Sequence, residues 1–304
     1  MRKVITFLVG LVVAVVGFSP SFAQTKEKRV AFVVGNANYA AGALPTAAND
    51  AGLVAQTLQA AGFDVVGARD LDAETFRQSY GEFLKRLSAG GPDTVAFIYV
   101  AGYGLQYGNE NYLVPIGATV AHDLDIPIEA IRLSDLTGPL AGLNLKARFA
   151  VFDAAYPSPF AKGGAPLAGG LALVDAAPGS LIAYNAAPGT VAPVGKGNYG
   201  PYAQALAAMM REGGIAPDEL FDRVRLRVND ATKGAEVPWD SSKIDTAFRF
   251  FDLGPGAPTP QATASVAAMR TKPIRDFAVS DAYSAALDRD TIGGYQEFLT
   301  AYGR

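Results

Sequence analysis

Cysteine is absent from all 304 residues, and histidine occurs once, as His122. The first absence excludes a thiol nucleophile, a disulfide and a thiolate-held metal. With one histidine, no His/Cys set remains for zinc, and the sequence calls for no cofactor. Basic residues form no run: 26 Lys and Arg stand against 29 Asp and Glu, for a net charge of −3, which argues against nucleic acid as a partner. After the first 23 residues no stretch is long and apolar enough to cross a bilayer. No Gly-Lys-Ser/Thr triplet is available for a nucleoside triphosphate. The Gly102-Tyr103-Gly104 stretch runs into extended Tyr112-Leu113-Val114-Pro115 rather than a helix, so a dinucleotide loop is excluded as well.

What is present is half hydrophobic, with 33 Gly and 19 Pro, ordinary for a chain with a large core. Arg2 and Lys3, the apolar run Val4–Phe18 and the small residues Ser21 and Ala23 read as a secretory signal over residues 1–23, cut before Gln24, with an uncut membrane anchor as the rival reading. The expected product is exported, periplasmic or secreted, with no transmembrane segment after signal removal. Arg29–Gly35, Phe63–Val66, Thr94–Val100, Arg148–Asp153 and Leu181–Tyr184 read as strands, the first and third of them continuous apolar runs after their first residue, as strands buried on both faces are. Asn49-Asp50 opens a helical pattern with Leu53, Val54, Thr57 and Leu58 on one face and Gly62 as its stop. Asp72 caps a second, with Phe76, Tyr80, Phe83, Leu84 and Leu87 in register. Further helices are expected over 133–143, 201–212 and 217–229, and a last edge strand over Phe248–Phe251. Strands alternating with helices imply an α/β fold with a mainly parallel sheet. Gly254–Pro260 reads as a linker. Residues 261–304 read as a short helical tail, anchored by Tyr283, Leu287, Tyr295, Phe298 and Leu299, which either caps its own core or docks on a partner.

Five ordered blocks carry a family resemblance. They are Val30–Asn36 with Tyr39; Leu44 through Asn49-Asp50-Ala51; Tyr99–Gly104 followed by Asn111–Pro115; Val151–Ala155 closing at Pro159-Phe160; and Pro238-Trp239 with Ser241-Ser242. Together they resemble the caspase-like cysteine peptidases, in particular the bacterial metacaspase-like branch, over about Arg29 to Phe251. The resemblance implies a caspase-like domain within residues 24–253. It also implies that Tyr103 stands where the family has its catalytic histidine, and Ala155 where it has its nucleophilic cysteine.

A methyl group cannot attack a carbonyl, and a neutral phenol is a poor general base at neutral pH. Tyr156 and Ser158 lie near the Ala155 position but have no base in sequence reach, and His122 sits in a polar loop outside both blocks. The resemblance therefore implies a pseudoenzyme. It further implies that Asp50 and Asp153 line a pocket for a substrate Arg or Lys, so the expected partner is a basic peptide or protein segment. On the residues alone, Asp50 reads equally as a helix cap, Asp153 as a carboxylate held by strand-end amides, and Tyr103 as a filler of vacated volume. The competing functional expectations are a family enzyme with altered chemistry and a structural envelope protein whose tail docks to a partner.

Overall fold

The computed structural model describes residues 27–253, 272–277 and 292–303, with residues 279, 282, 285 and 286 between the last two stretches. The expected signal, the 254–260 linker and the tail residues Tyr283 and Leu287 lie outside the described residues. Two units are present: residues up to 209 with 216–248, and residues 210–215 with those from 249 onward.

The first unit is built on a six-stranded sheet in the order β2-β1-β3-β7-β8-β9. Its strands are β1 (Lys28–Gly35), β2 (Asp64–Arg69), β3 (Thr94–Ala101), β7 (Ala147–Asp153), β8 (Ser180–Tyr184) and β9 (Trp239–Ser242). The first five run parallel and β9 returns antiparallel to β8. A second, antiparallel sheet joins β4 (Gly104–Tyr107), β5 (Glu110–Leu113) and β6 (Ile131–Arg132). The helices are α1 (Ala47–Ala60), α2 (Ala73–Ser88), α3 (Ile126–Glu129), α4 (Ser134–Ala141), α5 (Pro201–Arg211) and α6 (Pro217–Thr232). This is the mainly parallel α/β sheet flanked by helices that the alternating pattern implies.

Every residue of β3 is buried, which is why its sequence is an unbroken apolar run rather than an alternation. On α2 the Phe76, Tyr80 and Phe83 rings meet Phe32 of β1 with centroids 5.3, 5.6 and 5.7 Å away, so the 3.6-residue stripe becomes one aromatic layer. Asp72 accepts the Thr75 N–H at 2.8 Å and caps that helix as expected. Gly35 ends β1 against the first turn of α1. A Cβ there would sit 2.4 Å from Ala47 O and 2.8 Å from the Ala51 Cβ, so only glycine lets α1 lie this close to the strand. That close approach sets the position of Asp50.

Two local expectations change. The first helix starts at Ala47, so Asn49-Asp50 lies inside it and Asp50 is no cap. Phe248–Phe251 forms no strand. The far edge of β8 is taken by Trp239–Ser242, and Phe248 packs its ring on Phe149 at 5.3 Å instead. Phe160–Gly164, the start of a Gly- and Ala-rich loop, is tied down by backbone bonds from Ala161 N–H to Val120 O, Gly163 N–H to Ala121 O and Asp123 N–H to Gly163 O. In the second unit, α7 (Ile292–Tyr302) lays Phe298 and Tyr302 on a buried cluster of Ile274, Ala282 and Ala286. Leu299, expected as an anchor, is 63% exposed, because its position on α7 turns it away from that cluster.

Candidate functional site

Parallel strands β3 and β7 are neighbours, paired from Val95↔Ala147 to Ala101↔Asp153. Tyr103 and Ala155 each lie two residues past that last pair, at the carboxyl end of the sheet, where ligands collect in open α/β folds. Backbone bonds hold the two strand ends together: Gly102 N–H donates to Asp153 O at 3.2 Å and Gly104 N–H to Ala154 O at 2.7 Å. The two sequence blocks thus meet at one place.

Both residues there are covered. Tyr103 is buried, with its ring edge-on to Tyr39 at 5.0 Å and to Phe160 at 5.5 Å. Burial raises its phenol above the ordinary tyrosine range, so it stays protonated. Ala155 is also buried, and its own N–H donates to Asn185 Oδ1 at 2.9 Å, while Ala154 N–H reaches the same oxygen at 3.1 Å. Asn185 follows β8 and is itself fully buried. Acyl transfer needs N–H donors aimed at the oxygen that becomes negative. Here the amides beside the Ala155 methyl already have an acceptor.

The acidic residues lie one layer deeper. Asp153 closes β7 and is fully buried; its carboxylate accepts from Tyr99 OH at 2.7 Å and from Tyr156 OH at 2.5 Å. Two tyrosine hydroxyls, rather than strand-end amides, hold it. Burial raises its pKa and the two hydroxyls oppose the rise. Asp50 reaches in from α1. Its Oδ1 accepts Gly200 N–H at 2.7 Å, and its Oδ2 is buried with no hydrogen-bond partner. Burial, and then repulsion from Asp153, push its carboxyl up to about 7.

A third carboxyl, Glu236, belongs to the same cluster. It is 2% exposed, its Oε1 has no partner, and burial together with Asp153 and Asp50 pushes it up to about 9. The hydroxyl of Tyr202, from the first turn of α5, is likewise buried and unpartnered. Three buried carboxyls that feel one another's charge in a low-dielectric space resist ionising together and favour a cation nearby.

The match to known families follows from this frame: the caspase domain family model covers residues 28–249. The chain belongs to the caspase family. The matched span takes in all nine strands of the caspase domain, and with them Asp50, Tyr103, Asp153, Ala155, Asn185 and Glu236. No curated protein matches the chain.

Other candidates fall outside the centre of the caspase domain. His122 is exposed at the N-cap of a short turn and receives no catalytic neighbour; its backbone N–H donates to Asp125 Oδ2 at 2.8 Å. Ser158 Oγ accepts Phe160 N–H at 3.1 Å, and the Tyr156 hydroxyl is committed to Asp153. A cavity of about 350 Å³ opens along Gly104, Leu105, Tyr156, Ser158, Phe160 and Val191, but neither Ala155 nor the acidic cluster lines it. Sequence reading did not find Asn185 and Glu236. The signals were faint: one polar residue ending the apolar run Leu181–Tyr184, and one acid in the short stretch before Pro238-Trp239.

Proposed function

We propose that this chain is a catalytically silent, metacaspase-like member of the caspase family, exported, that acts by binding a basic peptide segment or as a scaffold. On this reading Tyr103 and Ala155 occupy the dyad positions. Neither can do the dyad's chemistry: the methyl has no lone pair, and the buried phenol holds its proton. The observation that carries the binding part is the acidic cluster. Asp50 Oδ2 and Glu236 Oε1 are buried carboxyl oxygens without a partner, beside the buried Asp153. A guanidinium, planar and rich in donors, supplies what such oxygens lack.

The test titrates the purified mature chain with matched Arg-containing and Arg-free peptides, while product formation is followed over the same period. Selective binding of the Arg peptide without hydrolysis is the expected result. Equal binding of both, or of neither, removes the pocket and leaves only a scaffold role. Turnover after a cationic residue by contaminant-free protein removes the silent reading altogether. Export is checked by fractionating cells and sequencing the mature N-terminus, which is expected at Gln24.

A further inference from the structure

The Asp50 side of the acidic cluster is covered by one stretch of chain. Ala192, at its start, is pinned by its N–H to Ala155 O at 2.8 Å. Gly200, at its end, donates to Asp50 Oδ1 and leads into α5. Between them, residues 193–199 make no backbone–backbone hydrogen bond among the described residues, and most of them are exposed. Two of the seven are glycines, Gly195 and Gly197. What holds this stretch to α1 is slight. Asn49 Nδ2 donates to Asn198 O at 3.0 Å, Gly195 lies against Thr46, and Gly200 sits on Asp50 so closely that a Cβ would meet Oδ2 at 3.0 Å.

Segments with exposed backbone, few internal bonds and firmly anchored ends open locally at far less cost than the sheet beneath them. The bond that closes this one is made by the same carboxylate that a cation would engage. We propose that residues 193–200 form a strap that opens locally over the acidic cluster, and that this opening admits the cationic group of a ligand to Asp50. The admission step rests on the acidic-pocket reading above; the local opening does not. A ligand that draws Asp50 to itself weakens the strap's closing bond, so entry and opening are coupled through one side chain.

Amide hydrogen exchange on the unmodified chain tests the opening directly. The Gly200 amide is expected to exchange roughly a hundredfold faster than the Ala155 amide, and to be insensitive to low denaturant. If the two amides exchange together, in step with global unfolding, the strap is refuted. Because the chain has no cysteine, Asn49→Cys with Asn198→Cys introduces the sole thiol pair, whose oxidation fastens the strap to α1. Oxidation is expected to slow Gly200 exchange by about tenfold or more. It should also abolish binding of a short blocked peptide carrying one Arg, and reduction should restore both. Equal binding by the oxidised and reduced forms overturns the strap as an entry route. If neither form binds the peptide while Gly200 exchange still follows the redox state, the ligand assignment fails and the local opening stands.

Discussion

Replacing Asp50 by asparagine should make this protein more stable, by an amount that depends on pH. The carboxyl stands at about 7 in the folded chain against an ordinary 3.8. A folded-state value above the unfolded one means that the folded chain holds the proton more tightly. Asp50's own contribution to stability is therefore most favourable below about pH 4, worsens as pH rises through the interval up to about 7, and carries the full penalty above it. At 1.36 kcal/mol for each pH unit of that interval, the penalty is about 4 kcal/mol. Asp50→Asn removes it. The amide keeps an oxygen for Gly200 N–H and places an NH2 where Oδ2 has no partner. Urea unfolding at pH 8 and at pH 4.5 is the assay. The variant is expected to gain about 2–4 kcal/mol over the parent at pH 8, a rise in Tm of roughly 10 °C, with the gap mostly closed at pH 4.5. A gap of the same size at both pH values, or a variant less stable at both, refutes the account of Asp50 as an ionised group paying for its burial. On the proposed basic-peptide reading, the same substitution should weaken binding of an Arg peptide, since it removes the charge proposed to pair with the guanidinium.

Four further outcomes follow from the same geometry. Arg-peptide binding should release protons near pH 7, because it favours ionised Asp50; calorimetry in buffers of different ionisation heat reads this, and affinity should climb between pH 6 and pH 8. Asn185→Ala leaves the buried N–H groups of Ala154 and Ala155 without an acceptor and should cost about 2–4 kcal/mol in urea unfolding; a loss under about 1 kcal/mol would mean that water or a neighbour takes its place. Gly35→Ala forces a methyl onto the Ala47 carbonyl and should destabilise by about 3 kcal/mol, or prevent soluble expression. Tyr103→His combined with Ala155→Cys should remain without measurable peptide hydrolysis, and adding Asn185→Ala should be needed before any appears; turnover by the double variant alone contradicts the role given to Asn185.

Much of the frame could be read from residues because burial writes itself into a strand. Val95–Val100 and Val30–Gly35 are unbroken apolar runs, and each belongs to a central parallel strand. The Phe76-Tyr80-Phe83-Leu87 stripe and its Asp72 cap gave α2 both its face and its start. Where reading failed, tertiary partners outweighed local pattern. Trp239–Ser242 carries an Asp and two Ser, poor strand formers, yet pairs with β8 because that edge is open. Phe248 and Phe250 alternate in burial as a strand would, yet they pair with no strand and their rings pack into the core instead. The acidic residues Asp50 and Asp153 came from block resemblance. Glu236 could not: its place beside them arises from α6 and β9 folding back over some eighty residues of chain, a separation that no local pattern encodes.

The carboxamide of Asn185 bears on the history of such a molecule. Two backbone amides that a working centre would keep vacant here hold up a neighbouring strand, so they have become part of the architecture. On the proposed reading, Tyr103→His or Ala155→Cys alone would leave both amides engaged, while losing Asn185 first would weaken the fold. Under the proposed silent reading this works as a ratchet: each later adjustment that leans on Asn185 lengthens the road back.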